Sequence, residues 1–165
     1  MSKRMSLNRR GFMTGRFREA TIRPPWATDK FTDQCTRCGD CLKACPEKIL
    51  IPGSGGFPEV NFSSGECTFC EACVDVCQEA ALVKQPEQKP WLHYAKIGED
   101  CLPRRGVICR SCSECCESAA IQFSWAESGV ALPQLDPSLC NGCGACVSAC
   151  PVNVITISSQ GVEHE

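Results

Sequence analysis

The sequence lacks any long apolar run. No stretch approaches the roughly 18 apolar residues that a membrane-spanning helix needs. Residues 11–26, where a secretory signal would have its apolar core, are interrupted by Arg16, Arg18 and Arg23. We therefore expect a cytoplasmic protein without membrane insertion, in a compartment where thiols stay reduced and clustered cysteines more often bind metal.

Recognisable catalytic and phosphate-binding motifs are also missing. The sequence contains no phosphate-binding loop, no dinucleotide fingerprint and no paired nucleophile and base. We therefore expect no catalytic residue, no enzymatic activity on a small substrate and no nucleic-acid partner.

Aromatic residues are scarce, whereas cysteines are abundant. Only 7% of the residues are aromatic, and 17 of the 165 residues are cysteine. With so few large side chains a conventional core would be thin, and small units then need crosslinks or metals to supply folding free energy. Three explanations compete for the cysteines: a secreted disulfide framework, structural zinc sites, or iron–sulfur clusters.

The cysteines fall into four groups, three of which share the spacing C-x2-C-x2-C-x3-C. Three thiols at successive x2 spacing curl the chain around a cubane cluster, and the fourth reaches a neighbouring cluster. Zinc sites prefer C-x2-C pairs separated by longer gaps, so the spacing favours [4Fe–4S] clusters. The regular groups are Cys35, Cys38, Cys41 and Cys45; Cys67, Cys70, Cys73 and Cys77; and Cys140, Cys143, Cys146 and Cys150.

The third group is stretched and has one thiol too many. A register that starts at Cys109 and keeps the regular spacing needs its last ligand at Ala119, which has no thiol. In the regular groups the fourth and fifth residues after the final cysteine are apolar, and counting from Cys116 gives the apolar pair Ala120 and Ile121. The predicted register therefore uses Cys101, Cys109, Cys112 and Cys116, and leaves Cys115 over.

Paired groups are expected to exchange their final cysteines. Three clusters are predicted on the regular groups and a fourth on the stretched group, with an empty third group as the alternative. Trp26, Trp91 and Trp125 are expected to cover cluster or interdomain surface. The predicted ligand sets are Cys35, Cys38, Cys41 and Cys77; Cys45, Cys67, Cys70 and Cys73; Cys101, Cys109, Cys112 and Cys150; and Cys116, Cys140, Cys143 and Cys146.

The predicted fold class is α+β, with two tandem bacterial-ferredoxin-like units. Short apolar segments with turn residues between them predict one hairpin in each unit, formed by 49–51 with 57–62 and by 120–124 with 131–135. Short helices are expected between the third and fourth cysteines of the regular groups. The predicted boundaries are a basic arm at 1–29, a first unit at 30–83, a linker at 84–98 and a second unit at 99–160.

Charge is distributed unevenly along the chain. The net charge is −2, but residues 1–30 have eight Lys/Arg against two acidic residues, while the remainder has nine against seventeen. Residues 8–14, NRRGFMT, are similar to the twin-arginine export consensus, yet no apolar run follows them, so we expect no export. A basic arm beside an anionic body suits docking on an acidic partner; the alternative is a basic tail without a partner. The predicted docking residues are Arg9, Arg10, Phe12, Arg16 and Arg18.

The whole chain resembles the NapF family, the ferredoxin-type accessory proteins of periplasmic nitrate reductase. The resemblance rests on RRGFMTGRFR in the arm, on IRPPW, CTRCGDC and CNGCGAC, and on the stretched third group. It implies a cytoplasmic protein that binds the nitrate reductase catalytic subunit before its twin-arginine export. It also implies a role in maturing that subunit by delivering electrons or clusters, with a redox donor protein as a second partner. Two alternatives are an electron-transfer ferredoxin subunit of a redox enzyme complex and a binding chaperone whose clusters are purely structural.

Overall fold

The computed structural model describes residues 21–86, 89–126 and 129–159. Cysteines recur every three or four residues in the three regular groups, and each of these groups has a short helix near its third cysteine. Within the described residues the helices are α1 Phe31–Gln34, α2 Asp40–Ala44, α3 Ala72–Asp75, α4 Ser111–Glu114 and α5 Ala145–Ser148. The strands are β1 Leu50–Pro52, β2 Pro58–Val60, β3 His93–Ile97, β4 Ile121–Trp125, β5 Ala131–Leu135 and β6 Ile155–Ser159.

The strands pair into two-stranded antiparallel sheets. β1 pairs with β2 and β4 pairs with β5, so both predicted hairpins form. The third sheet joins β3 to β6, with Ala95 opposite Ile157. Short helices and small antiparallel sheets around cysteine loops make the fold α+β, as the sequence predicts. No helix in the described ranges is long and apolar enough to cross a membrane.

The segment predicted as a linker, 84–98, contains a strand. Its residues 93–97 form β3 and pair with β6, at the far end of the second half. The prolines at 86 and 90 indicate a break in regular structure, and a five-residue strand whose partner lies far along the chain has no local signal. The boundaries between domains stay a prediction, but β3 contributes to the sheet of the second half.

The last part of the predicted arm packs against the first half. Pro24 is fully buried and Trp26 is 6% exposed. The Trp26 amide donates to the Pro90 carbonyl (2.7 Å), and Ala27 forms a β-bridge with Leu82. Residues 24–27 therefore pack with the body, although the predicted arm at 1–29 includes them. The predicted docking residues Arg9, Arg10, Phe12, Arg16 and Arg18 lie outside the described residues.

Each half has its own small core, and cysteines are part of both. The first core contains buried Phe31, Leu50, Cys73, Ala81 and Leu82. The second contains buried Ala95, Cys112, Ile121, Cys146, Cys150 and Ile155. Because thiols replace larger apolar side chains in these cores, whatever the thiols bind must contribute to the stability of the fold.

Candidate metal centres

The structure gathers the cysteines around four cavities. Each cavity is lined by three thiols from one group and one thiol from the paired group. The quartets are the four predicted ones: Cys35, Cys38, Cys41 and Cys77; Cys45, Cys67, Cys70 and Cys73; Cys101, Cys109, Cys112 and Cys150; and Cys116, Cys140, Cys143 and Cys146. We call these the first, second, third and fourth cavities.

The donor set fits a cubane better than a single ion. All cysteines are free thiols, so a disulfide framework is absent. Around one zinc, sulfurs at 2.3 Å would lie roughly 3.8 Å from each other. Within the described parts of the chain, no three His, Cys, Asp or Glu side chains come close enough together to hold one metal ion. Four thiols around one cavity are the ligand set of a [4Fe–4S] core.

The backbone of each regular loop alternates in handedness. The second and fourth residues after the first cysteine have positive φ in all three regular groups. Such alternation turns successive amide N–H groups toward one side and forms a concave anion-binding nest. Three of the six positions are not glycine, so they adopt a conformation that L-residues rarely take. The residues are Arg37 and Gly39, Phe69 and Glu71, and Gly142 and Gly144, with φ of 63° and 79°, 53° and 66°, and 73° and 86°.

A second turn follows the final cysteine of every group. The third residue after that cysteine has φ between 51° and 53°, and its N–H donates to the cysteine carbonyl at 2.9–3.4 Å. The stretched group shows the same turn when it is counted from Cys116, which places Ala119 at φ 51°. The next two residues, Ala120 and Ile121, are buried, as are all their counterparts except the half-buried Val154. The turn residues are Lys48, Ala80, Ala119 and Asn153.

The third cavity receives Cys101 from a separate piece of chain. Cys101 precedes a 3-10 turn at Leu102–Arg105, which ends at the left-handed Gly106 (φ 81°). The Val107 amide donates to the Leu102 carbonyl (3.0 Å) and closes the inserted loop. The insertion therefore folds back and brings Cys101 beside Cys109 although seven residues separate them.

Cys115 lines none of the four cavities. It is half-buried, and its Sγ lies 3.5 Å from the Cys112 carbonyl, to which the thiol donates. Burial raises its pKa, so it is an uncharged thiol at neutral pH. The geometry agrees with its place outside the predicted register.

Burial and crowding raise the pKa of Cys41, Cys73 and Cys112, so these cavity thiols are protonated when no metal is bound. Burial raises the pKa of Cys41 to about 11, with further increases from Cys35, Cys38 and Cys77. Burial likewise raises the pKa of Cys73 to about 12 and that of Cys112 to about 11. Iron must therefore displace protons from these thiols as it binds.

The second and fourth cavities adjoin across the two halves. The Cys67 amide donates to the Cys143 carbonyl (2.8 Å), which joins the loops of the two cavities directly. Phe62 packs edge-on against Trp91, with ring centroids 6.0 Å apart, and a Cβ at Gly144 would overlap the Phe62 ring. Close packing at this junction places the two halves in one continuous body.

Two residues that contact the cavities are not cysteines and supply no thiol. The Ala95 amide of β3 donates to Cys140 Sγ (3.5 Å), and Trp26 lines the second cavity. Trp91 donates its indole N–H to the Asn141 carbonyl (2.8 Å) in the fourth loop, so the expectation of a covering role suits it. For Trp125 that expectation is wrong, because its side chain is 79% exposed on β4.

Comparisons with known proteins agree with this geometry. A 4Fe-4S dicluster domain family matches residues 34–81, and a 4Fe-4S binding domain family matches residues 133–156. The ferredoxin-type protein NapF of Escherichia coli K12 is 46% identical over 157 residues, covering 93% of this chain and 95% of that protein. The Haemophilus influenzae NapF is 45% identical over 172 residues, covering 93% and 94%. The chain belongs to the NapF family.

More distant similarity extends to another ferredoxin-type protein. The methylamine utilization protein MauM of Methylophilus methylotrophus is 30% identical over 157 residues, covering 84% of this chain and 70% of that protein. As a NapF-family protein with two matched 4Fe-4S regions, the chain is a ferredoxin-type protein that binds [4Fe–4S] clusters. The stretched group lies between the two matched regions, so the family models do not cover it.

Proposed function

We propose that this protein is a cytoplasmic accessory protein that matures the catalytic subunit of periplasmic nitrate reductase before its twin-arginine export. It delivers electrons or clusters while it is bound to that subunit. The observation that carries the proposal is the arrangement of four thiol-lined cavities in one body, within a NapF-family chain. A protein that only needed metal for stability would gain nothing from bringing two of these cavities together across the halves.

In this proposal each crossed quartet holds one [4Fe–4S] cluster, four in all. A bound cluster supplies one-electron redox chemistry at low potential. The chain supplies four thiolates for each cluster, amide N–H groups that face the cluster sulfurs, and apolar walls that limit water. No residue of the chain has a catalytic role on a small substrate.

The surface around the first cavity favours exchange with a partner. This cavity is the most spacious of the four, about 100 Å³, and Cys38 on its edge is exposed. Cys70, on the edge of the second cavity, is exposed too. A partner that touches these edges would approach the thiols without any movement of the fold. This exposure equally favours the second candidate, a ferredoxin subunit that supplies electrons to a redox enzyme complex.

Removal of the basic arm separates the two candidates. The chain should be shortened to begin at residue 21, since Pro24 and Trp26 are packed in the body and their loss would disturb the fold. We expect the shortened protein to keep its iron content but to lose binding to the cluster-free catalytic subunit, measured anaerobically by co-purification. Unchanged binding together with unchanged maturation of the reductase would favour the simple electron carrier.

A matched pair of variants tests whether the arm acts through charge. Replacing Arg9, Arg10, Arg16 and Arg18 by Glu should abolish binding, whereas replacing the same four by Lys should preserve most of it, because electrostatic attraction depends on net charge. Binding should also weaken as salt rises. Equal loss in both variants would contradict an electrostatic docking arm and would point instead to specific recognition of the guanidinium groups.

A further inference from the structure

One buried indole N–H at a cysteine cavity has no acceptor among the residues that the structure describes. Among the described residues, the buried side-chain polar atoms without a partner are Arg23 Nη1, Trp26 Nε1 and His93 Nδ1. Trp26 lines the second thiol cavity together with Cys45, Cys67, Cys70 and Cys73, and all three residues also line a wider groove. Buried donors in folded proteins almost always have a partner, so an unpaired donor at a ligand site indicates an acceptor on the ligand.

The backbone of Trp26 is fixed by contacts that do not involve the indole N–H. Its amide donates to the Pro90 carbonyl (2.7 Å), and its carbonyl accepts from the Val83 amide (3.0 Å). Its φ is 59°, a left-handed conformation that is unfavourable for a bulky residue. Unfavourable backbone of this kind persists where the surroundings over-determine it, often at functional sites.

The ring of Trp26 is held against the loop that carries the thiols. It packs edge-on against Phe69, with ring centroids 6.4 Å apart and an angle of 85° between the planes. Phe69 lies between Cys67 and Cys70 and is itself left-handed, with φ 53°. The indole is therefore positioned by the loop that would hold a cluster, and it is 6% exposed.

The other two tryptophans provide a contrast. Trp91 Nε1 donates to the Asn141 carbonyl (2.8 Å), so its hydrogen-bonding capacity is used within the protein. Trp125 is 79% exposed, so water can satisfy its N–H. Trp26 alone among the three combines burial, an unpaired N–H and a place on a thiol cavity.

We propose that Trp26 donates its indole N–H to a sulfur of the cluster bound in the second cavity and thereby raises the reduction potential of that cluster. This inference rests on the proposed assignment of Cys45, Cys67, Cys70 and Cys73 as one ligand set. A hydrogen bond to cluster sulfur stabilises the more negative, reduced form, so its loss lowers the potential. Trp26 is a positioning and tuning residue, and it does not supply a ligand to iron.

The test is a Trp26→Phe substitution in the full chain, purified anaerobically with its clusters. Phenylalanine keeps an aromatic ring against Phe69 and removes the N–H. An EPR-monitored redox titration should show one cluster shifted to a more negative potential and the others unchanged, with unchanged iron per chain. A Cys70→Ser variant alters a proposed ligand of the same cavity. It therefore identifies the EPR signal of the cluster whose reduction potential should shift in Trp26→Phe. Trp125→Phe is the matched control and should leave the reduction potential of every cluster unchanged.

A second readout needs no substitution at Trp26. Protein labelled with ¹⁵N at the indole nitrogens should show a ¹⁵N hyperfine coupling to a reduced cluster by pulsed EPR. The coupling should persist in Trp91→Phe and Trp125→Phe and disappear in Trp26→Phe. Absence of the coupling in the unmodified protein, or unchanged potentials in Trp26→Phe, would overturn the proposal. Failure to bind nitrate reductase would contradict the proposed function alone, whereas missing iron at the second cavity would overturn the ligand set and this inference together.

Discussion

In the first half, both cysteine loops alternate left-handed residues, at Arg37 and Gly39 and at Phe69 and Glu71. In the second half, only the loop of the fourth group does so, and no residue between Cys109 and Cys116 has positive φ. Yet both halves exchange their final cysteines and place the same left-handed turn after them. The shared element is therefore the crossing cysteine with its turn, whereas the loop can be rebuilt around an insertion.

The largest effect should come from the neighbouring thiols Cys115 and Cys116. Cys116→Ala removes a thiol of the fourth cavity and should cost between one and four of the roughly sixteen irons expected for four cubanes. Cys115→Ala should leave the iron content unchanged, because Cys115 lines none of the four cavities. Anaerobic iron and sulfide analysis of the two purified variants measures the difference.

The opposite result would break the comparison between halves. If Cys115→Ala lost iron while Cys116→Ala kept it, the second half would use a different register, and the shared turn after the final cysteine would be unrelated to ligation. A content of about twelve irons in the unmodified protein would instead leave one cavity empty. The third cavity, which contains the insertion, would then be the first candidate for the empty one.

An intermediate effect is expected at two equivalent glycines. Gly39 and Gly144 both follow the first cysteine of their group by four residues, with φ of 79° and 86°. A Cβ at Gly39 meets nothing within 4 Å, whereas a Cβ at Gly144 would overlap the Phe62 ring. Gly39→Ala should cost about 1–2 kcal/mol for the left-handed backbone. Gly144→Ala should cost about 2–5 kcal/mol, because the overlap adds an overpacking penalty.

Apparent melting temperatures at one scan rate give the order of the two variants. Irreversible loss of clusters makes such temperatures rate-dependent, so both variants and the unmodified protein must be heated identically. If Gly144→Ala has the same apparent melting temperature as Gly39→Ala, then Phe62 moves aside easily. The junction between the halves would then be looser than its packing indicates.

The sequence predicted most of the local structure but not the long-range contacts. The hairpins and the short helices of the regular groups were predicted correctly because turn residues and cysteine spacing are local signals. The strand β3 was missed because its partner β6 lies far along the chain, and prolines before it indicated a linker. The sequence predicted that Trp26 covers cluster or interdomain surface, but not which cavity it lines, since Trp26 precedes the first cysteine and reaches the second group only in three dimensions.

The cavities themselves followed from spacing for a physical reason. A cubane needs thiols from several directions, and one loop can supply only three before the chain must turn away. That requirement predicts the exchange of final cysteines without any knowledge of the fold. Left-handed Phe69 and Glu71 were not predictable, because only the glycines in the other loops signal such a conformation.

The smallest effect should come from the ion pairs of the insertion in the second half. Arg104 pairs with Glu99 (2.6 Å) and Arg105 pairs with Asp100, and all four side chains are more than a third exposed. Exposed pairs contribute about 0–1 kcal/mol each, so Arg104→Ala and Arg105→Ala should barely change melting temperature or iron content. If binding of Cys101 to iron holds the insertion in place, then Cys101→Ala should lower the iron content, whereas the two arginine variants should not. A large loss of iron on replacing either arginine would instead show that charge pairing places Cys101 at the third cavity, a constraint for which the first half has no counterpart.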